Sequence, residues 1–210
     1  HPERGLLGPG EFLPNAEASG LMGEIGEQML RDALAQLATW RAHEHPWGDC
    51  ALSVNLDAQQ LGDPNFCLVV EDALGTNGIE ADALWFEITE TAAIASFSQA
   101  NRFIQALKEL GCKFALDDFG TGYSSLAWLS RLPVDAVKLD QTYVQQMDED
   151  ERCARLVKGF VRVFQDMGLQ VVAEGIETES MHHWLQDAQC DMLQGYYFGK
   201  PMPLEELNEW

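Results

Sequence analysis

Hydrophobic and polar positions change their period repeatedly along this chain. Short β-like runs fall at Ala51–Leu56, Leu84–Thr89, Lys113–Asp118, Ala136–Asp140, Gln170–Glu174 and Met192–Phe198. Between them, residues 97–110, 146–167 and 178–187 place apolar side chains at helical spacing, and a further helical stretch is expected near 64–75. Residues 17–42, rich in Ala, Leu, Met and Glu, predict a leading helix, whereas His1–Pro14, punctuated by Pro and Gly, predict a loop. Strand and helix alternate with a step of roughly 20 to 35 residues, the pattern of βα units and parallel strands. The expected fold class is α/β, a TIM-barrel-like (β/α)₈ barrel with about two N-terminal strands lying outside this chain. An open doubly wound sheet is the alternative, and there too ligands sit at the carboxyl ends of the strands. Residues 1–210 read as one domain with no second domain, since no linker, repeat or low-complexity tract divides them.

Composition narrows the picture. The 46% hydrophobic content suits a globular core, and no apolar run approaches the roughly 20 residues that span a bilayer. Cys50, Cys67, Cys112, Cys153 and Cys190 are scattered and form no C-x-x-C pair, so they read as reduced packing residues. Reduced thiols and the lack of a charged-then-apolar leader predict a cytoplasmic chain, although a parent protein could be membrane-anchored. The formal charge of −21 argues against surface binding of nucleic-acid polymers or anionic membranes. A phosphate ligand would need local compensation, and divalent cations are the obvious source.

The chemistry concentrates where strands should end. Asn55, Glu87 with Glu90, Asp117 with Asp118, Lys138 with Asp140, Glu174 with Glu177, and Gln194 fall there in turn. In a parallel barrel those ends converge on one face. Packing explains the set poorly, because buried charges are costly unless paired or metal-bound. Several carboxylates plus an amide oxygen suit Mg²⁺ or Mn²⁺, and the lack of His and Cys among them argues against zinc.

These motifs, read in order, resemble the EAL family of bacterial cyclic di-GMP phosphodiesterases. The matching stretches are Val54-Asn55-Leu56, Phe86-Glu87-Ile88-Thr89-Glu90, Phe114–Leu126, Val137-Lys138-Leu139-Asp140, Ala173–Thr178 and Gln194-Gly195-Tyr196. His1–Gly5 and Pro9–Pro14 look like the segment just after the family's Glu-Ala-Leu motif, which would precede His1. Asp57 stands where the family often has Ser. The resemblance implies a two-metal site for Mg²⁺ or Mn²⁺. Asn55, Glu87 and Asp117 would bind one ion together with the Glu of the preceding motif, and Asp118 the other. Lys138 would orient the attacking water, Glu174 would act as general base or metal partner, and Gln194 would position by hydrogen bonding. Glu90, Glu177 and Asp140 would support these groups, Glu90 by anchoring the Asp118–Tyr123 loop. The implied reaction opens cyclic di-GMP to linear pGpG. Fusion to GGDEF or sensory domains and homodimerisation are implied in the same way.

Each assignment competes with a plainer one. Lys138 could snorkel from a strand end, Glu90 and Glu177 could be exposed acids at helix starts, and Asn55 could cap a turn. His43 and His45 beside Pro46-Trp47 read as a surface loop, and His182 and His183 as helix surface. Trp40, Trp85, Trp128 and Trp184 read as packing. Two other functions fit less well. A catalytically inactive cyclic di-GMP receptor would tend to have lost ligands that are present here. A Schiff-base aldolase using Lys138 would need a depressed lysine pKa, which converging carboxylates oppose.

Overall fold

The structure, a computed structural model, describes residues 1–5, 7–63, 65–121, 126–147 and 150–210. It packs as two compact units, His1–Phe114 and Ala115–Trp210. The strands are β1 (Leu52–Asn55), β2 (Leu84–Thr89), β3 (Lys113–Phe119), β4 (Ala136–Leu139), β5 (Gln170–Ala173) and β6 (Met192–Leu193). The unit boundary falls inside β3. Within the first unit β1 pairs parallel with β2; within the second, β3 pairs with β4, β4 with β5 and β5 with β6, all parallel. Helices follow the strands, as the change of period predicts.

In the first unit, α2 (Met22–Ala42) buries Leu30, Leu34 and Leu37, one stripe at helical spacing, and packs on α3 (Phe66–Asn77) and β1. Strand β2 alternates strictly: Leu84, Phe86 and Ile88 are buried, while Trp85, Glu87 and Thr89 face the other way. Phe86 meets Phe114 at 5.5 Å between ring centroids and Phe66 at 6.2 Å, so the inward face of β2 holds the core together. In the second unit all four residues of β4 are buried, Lys138 included. Strands covered on both faces are usual in parallel sheets. Helix α8 (Glu151–Asp166) turns Val157, Val161 and Phe164 inward against β5 and α7 (Gln141–Gln145).

Three expectations need correction. The opening residues are not a loop throughout: Pro9–Ala18 form helix α1, with Gly8 at the N-cap and the Glu11 carboxylate accepting from its N–H. Pro9 at the first helical position and this acidic cap outweigh the breaker composition. The helix expected over 17–42 is two helices, because α1 ends at Ser19 and Gly20 takes a φ of +70°. The strand expected over 192–198 stops at Leu193, and the following residues turn. The helix expected over 146–167 is α8, preceded by the separate α7; residues 148–149 lie outside the described ones. Helix α5 (Phe97–Leu110) matches its expected span, and α9 (Glu179–Asp187) starts one residue later than expected. No described helix is long and apolar enough to cross a membrane.

Candidate active site

The acidic pair sits on a bulge. Leu116 is opposite Val137 and Phe119 is opposite Leu139, so two residues, Asp117 and Asp118, face the single residue Lys138. On a regular strand neighbouring side chains point to opposite faces. Here Asp118 adopts φ +55°, the left-handed region that Asp tolerates better than most residues, and its N–H donates to Asp117 Oδ1 at 3.0 Å. The extra residue re-aims the chain, and both carboxylates reach one place. Oxygens of Asp117, Asp118 and Glu174 lie within 4.8 Å of one another, close enough to share a metal ion.

Lys138 organises this cluster from below. Its side chain is only 6% exposed, and its Nζ lies 3.1 Å from Asp117 Oδ1 and 2.7 Å from Glu174 Oε1. A lysine buried between two carboxylates and paired to both is neither a snorkelling side chain nor a free amine poised to form a Schiff base. The donor set is all carboxylate oxygen, which fits a hard divalent cation and not zinc.

Above the cluster opens a cleft of about 270 Å³ lined by Asp118, Asp140, Glu174, Glu177, Gln194 and Tyr196, with Gln141, Gly175 and Gly195 completing the wall. Backbone hydrogen bonds lock Gln194 beside Glu174. The Gln194 N–H donates to the Ala173 carbonyl at 2.9 Å, and the Ile176 N–H donates to the Gln194 carbonyl at 3.1 Å. A Cβ on Gly195 would lie 2.2 Å from the Ile176 oxygen, so this close approach requires glycine. Asp140 caps α7, accepting from the Thr142 N–H at 3.0 Å and from its hydroxyl. Glu177 is exposed and accepts from Gln145 Nε2 at 3.4 Å.

The first unit holds the other pair. Asn55, the last residue of β1, is the direct register partner of Glu87 in β2, and the Ser53 hydroxyl donates to the Glu87 carboxylate. Ser53 lies two residues before Asn55, hence on the same strand face, and that spacing was the signal by which the sequence could have shown it. The turn after β1 is capped by Asp57, which accepts from the Gln59 N–H at 2.7 Å. Glu90 begins α4 (Glu90–Ala95) but is only 1% exposed, so the exposed helix-start reading fails for it. Residues 122 and 123 of its expected partner loop, Asp118–Tyr123, lie outside the described residues.

The remaining polar candidates stay peripheral. The His43 ring bonds the Thr39 carbonyl at 2.8 Å, and His45 stacks on the buried Trp40. His182 is not plain helix surface: it is half-buried and stacks on Tyr197 at 5.3 Å. Burial pushes the Cys112 thiol up to about 12 and the Cys190 thiol up to about 11, as inert packing cysteines behave. Gln141 and Tyr196, which carry no predicted role from the sequence, also stand on the cleft wall.

Comparison with known proteins identifies the family and the fold. The sequence pattern of the EAL domain matches residues 1–201. The bifunctional diguanylate cyclase/cyclic di-GMP phosphodiesterase MucR of Pseudomonas aeruginosa is 37% identical over 207 residues, covering 99% of this chain and 30% of that protein. The cyclic di-GMP phosphodiesterase NbdA of the same organism is 37% identical over 210 residues, covering 100% of this chain and 27% of that protein. The chain thus spans about a third or less of the length of such curated relatives. Among solved structures, the PaMucR phosphodiesterase in complex with c-di-GMP superposes with a TM-score of 0.91 at 37% identity, covering 99% of this chain and 83% of that one. That agreement selects the barrel-like (β/α) fold over the open doubly wound sheet, and the chain belongs to the EAL-domain family.

Proposed function

We propose that this chain is the catalytic EAL domain of a phosphodiesterase that hydrolyses cyclic di-GMP to linear pGpG with Mg²⁺ or Mn²⁺. The observation that carries the reading is the carboxylate cluster Asp117–Asp118–Glu174 gathered around the buried Lys138 and opening into the cleft. Relatives and structural neighbours named for cyclic di-GMP supply the substrate. Residues 1–210 act here as one EAL domain in a bacterial second-messenger pathway on the cytosolic side, with GGDEF or sensory domains elsewhere in the parent protein and a homodimer as its working form.

Asp117 and Asp118 would hold the cations, and Asn55 and Glu87 would be further ligands on the strength of the family resemblance. When bound, two such ions acidify a water and supply positive charge to the phosphate. Lys138 pairs with Asp117 and Glu174 and fixes their directions, and its charge offsets that building on the phosphoryl oxygens in the transition state. Glu174 accepts the proton as the attacking oxygen is activated. Gln194, held rigidly by its backbone, offers an amide to orient the phosphodiester, and Tyr196 walls the cleft beside it. Asp140, Glu177 and Glu90 support these groups from behind.

The test is to replace Asp117 by Asn and, separately, Asp118 by Asn. Each change is expected to reduce hydrolysis of cyclic di-GMP by at least about a thousandfold, judged against removal of a principal electrostatic group, while circular dichroism stays native. Near wild-type turnover in either variant would sink the assignment. Binding of cyclic di-GMP by the unmodified protein without hydrolysis would identify a receptor instead.

A further inference from the structure

We infer that Tyr143 is a positioning residue for the acidic pair: by holding the carbonyl of Gly120 it keeps the Asp117–Asp118 bulge shaped for metal. The inference rests on the metal reading proposed above. Asp118 occupies the left-handed region, which non-glycine residues rarely adopt. Such a conformation persists only where its surroundings over-determine it. Part of the restraint is internal, since the Thr121 N–H and hydroxyl both donate to the Asp118 carbonyl, at 3.3 and 3.0 Å. Part is apolar, since the Phe119 ring packs edge-on against Phe164 at 4.9 Å and Phe160 at 5.7 Å. The β3–β4 ladder on either side and the Lys138–Asp117 ion pair tie the bulge itself to the strand that carries Lys138, but neither reaches the residues just past it.

The Tyr143 hydroxyl adds a further tie there, at Gly120. It donates to the Gly120 carbonyl at 3.0 Å, across 23 residues of chain. Tyr143 stands on α7, whose cap Asp140 follows Lys138 by two residues, and the Tyr143 N–H donates to the Asp140 carbonyl at 3.1 Å. The end of β4 and the exit of β3 are therefore tied through one phenol. Gly120 makes the tie feasible: at φ +104°, a Cβ there would sit 2.4 Å from the tyrosine ring. The ring is seated independently of its hydroxyl, edge-on to Phe160 at 5.8 Å. A purely packing residue would need only that ring, and phenylalanine would serve equally.

Tyr143→Phe separates the two roles because it removes the hydroxyl and leaves the ring. Mn²⁺ binding to the purified protein, read by electron paramagnetic resonance, should weaken about three- to tenfold, the range spanned by one hydrogen bond. The melting temperature in EDTA should change by no more than about 2 °C. Equal Mn²⁺ affinity in the two proteins overturns the inference. So does a weakening that comes only with a collapsed melting temperature, which would assign the hydroxyl to general stability. Failure of the unmodified protein to bind Mn²⁺ would instead remove the metal reading, and this inference with it.

Discussion

At the scale of single residues, Lys138 is the most consequential group in the second unit. Its 6% exposed side chain sits between carboxylates that are themselves only 14% and 16% exposed. Removing one partner of a buried ion pair costs about 3–5 kcal/mol, and the residual exposure places this site toward or below the lower end. Lys138→Met is therefore expected to lose hydrolysis and to melt lower in EDTA, since Asp117 and Glu174 then repel each other. Added Mg²⁺ should raise the melting temperature of this variant more than that of the unmodified protein, because the ion replaces the missing positive charge. Equal Mg²⁺ shifts in the two proteins would show that the lysine and the metal do not share these carboxylates. The identities of Lys138, Asp117 and Asp118 were legible in the sequence, as polar residues where β-like runs end. How two adjacent aspartates come to face one lysine was not, because strand periodicity sends neighbours apart and the left-handed Asp118 carries no sequence signal.

Elements were legible where their period was long and clean. Helix α5 keeps its apolar stripe for four turns and ends at Gly111, which takes φ +109°, so its span could be read directly. The short pieces were obscured by tertiary demands. The run Met192–Phe198 has β-like composition, yet β6 ends after two residues because the chain must turn tightly against Ile176. That turn makes a prediction at its own scale. In Gly195→Ala the new methyl would meet the Ile176 backbone, which is a carbonyl and an amide and not a flexible side-chain tip. Overpacking of this kind costs about 1–3 kcal/mol, and relief requires the Gln194 segment to move away from Glu174. The variant should unfold at lower urea and bind cyclic di-GMP more weakly, whereas a surface Gly10→Ala change, with open space around its Cβ, should do neither. Unchanged binding in Gly195→Ala would mean that the position of Gln194 is unimportant to the ligand.

For the whole chain, the sequence disclosed the order of strands and helices and the sign of the field, while the division into two packed units had no counterpart in composition. Against 34 acidic residues stand 13 basic ones, a balance of −21. The proposed ligand, a cyclic dinucleotide, is itself an anion, so the long-range field would oppose its approach while bound cations would attract it at close range. These two contributions respond to salt differently. Long-range repulsion is screened over a Debye length of about 10 Å at 0.1 M ionic strength, while contacts inside a narrow cleft are screened much less. Raising NaCl from about 0.02 to 0.2 M at saturating Mg²⁺ should therefore speed association of a fluorescent cyclic di-GMP analogue, on the order of twofold, with little change in its dissociation rate. Proteins that gather phosphates with lysine and arginine show the opposite sign, because salt competes with their attraction. Stopped-flow measurements at three or more salt concentrations distinguish the cases. An association rate that falls steeply with salt would mean that a local positive surface guides the ligand, and that the acidic balance of this chain has no part in how the proposed ligand arrives.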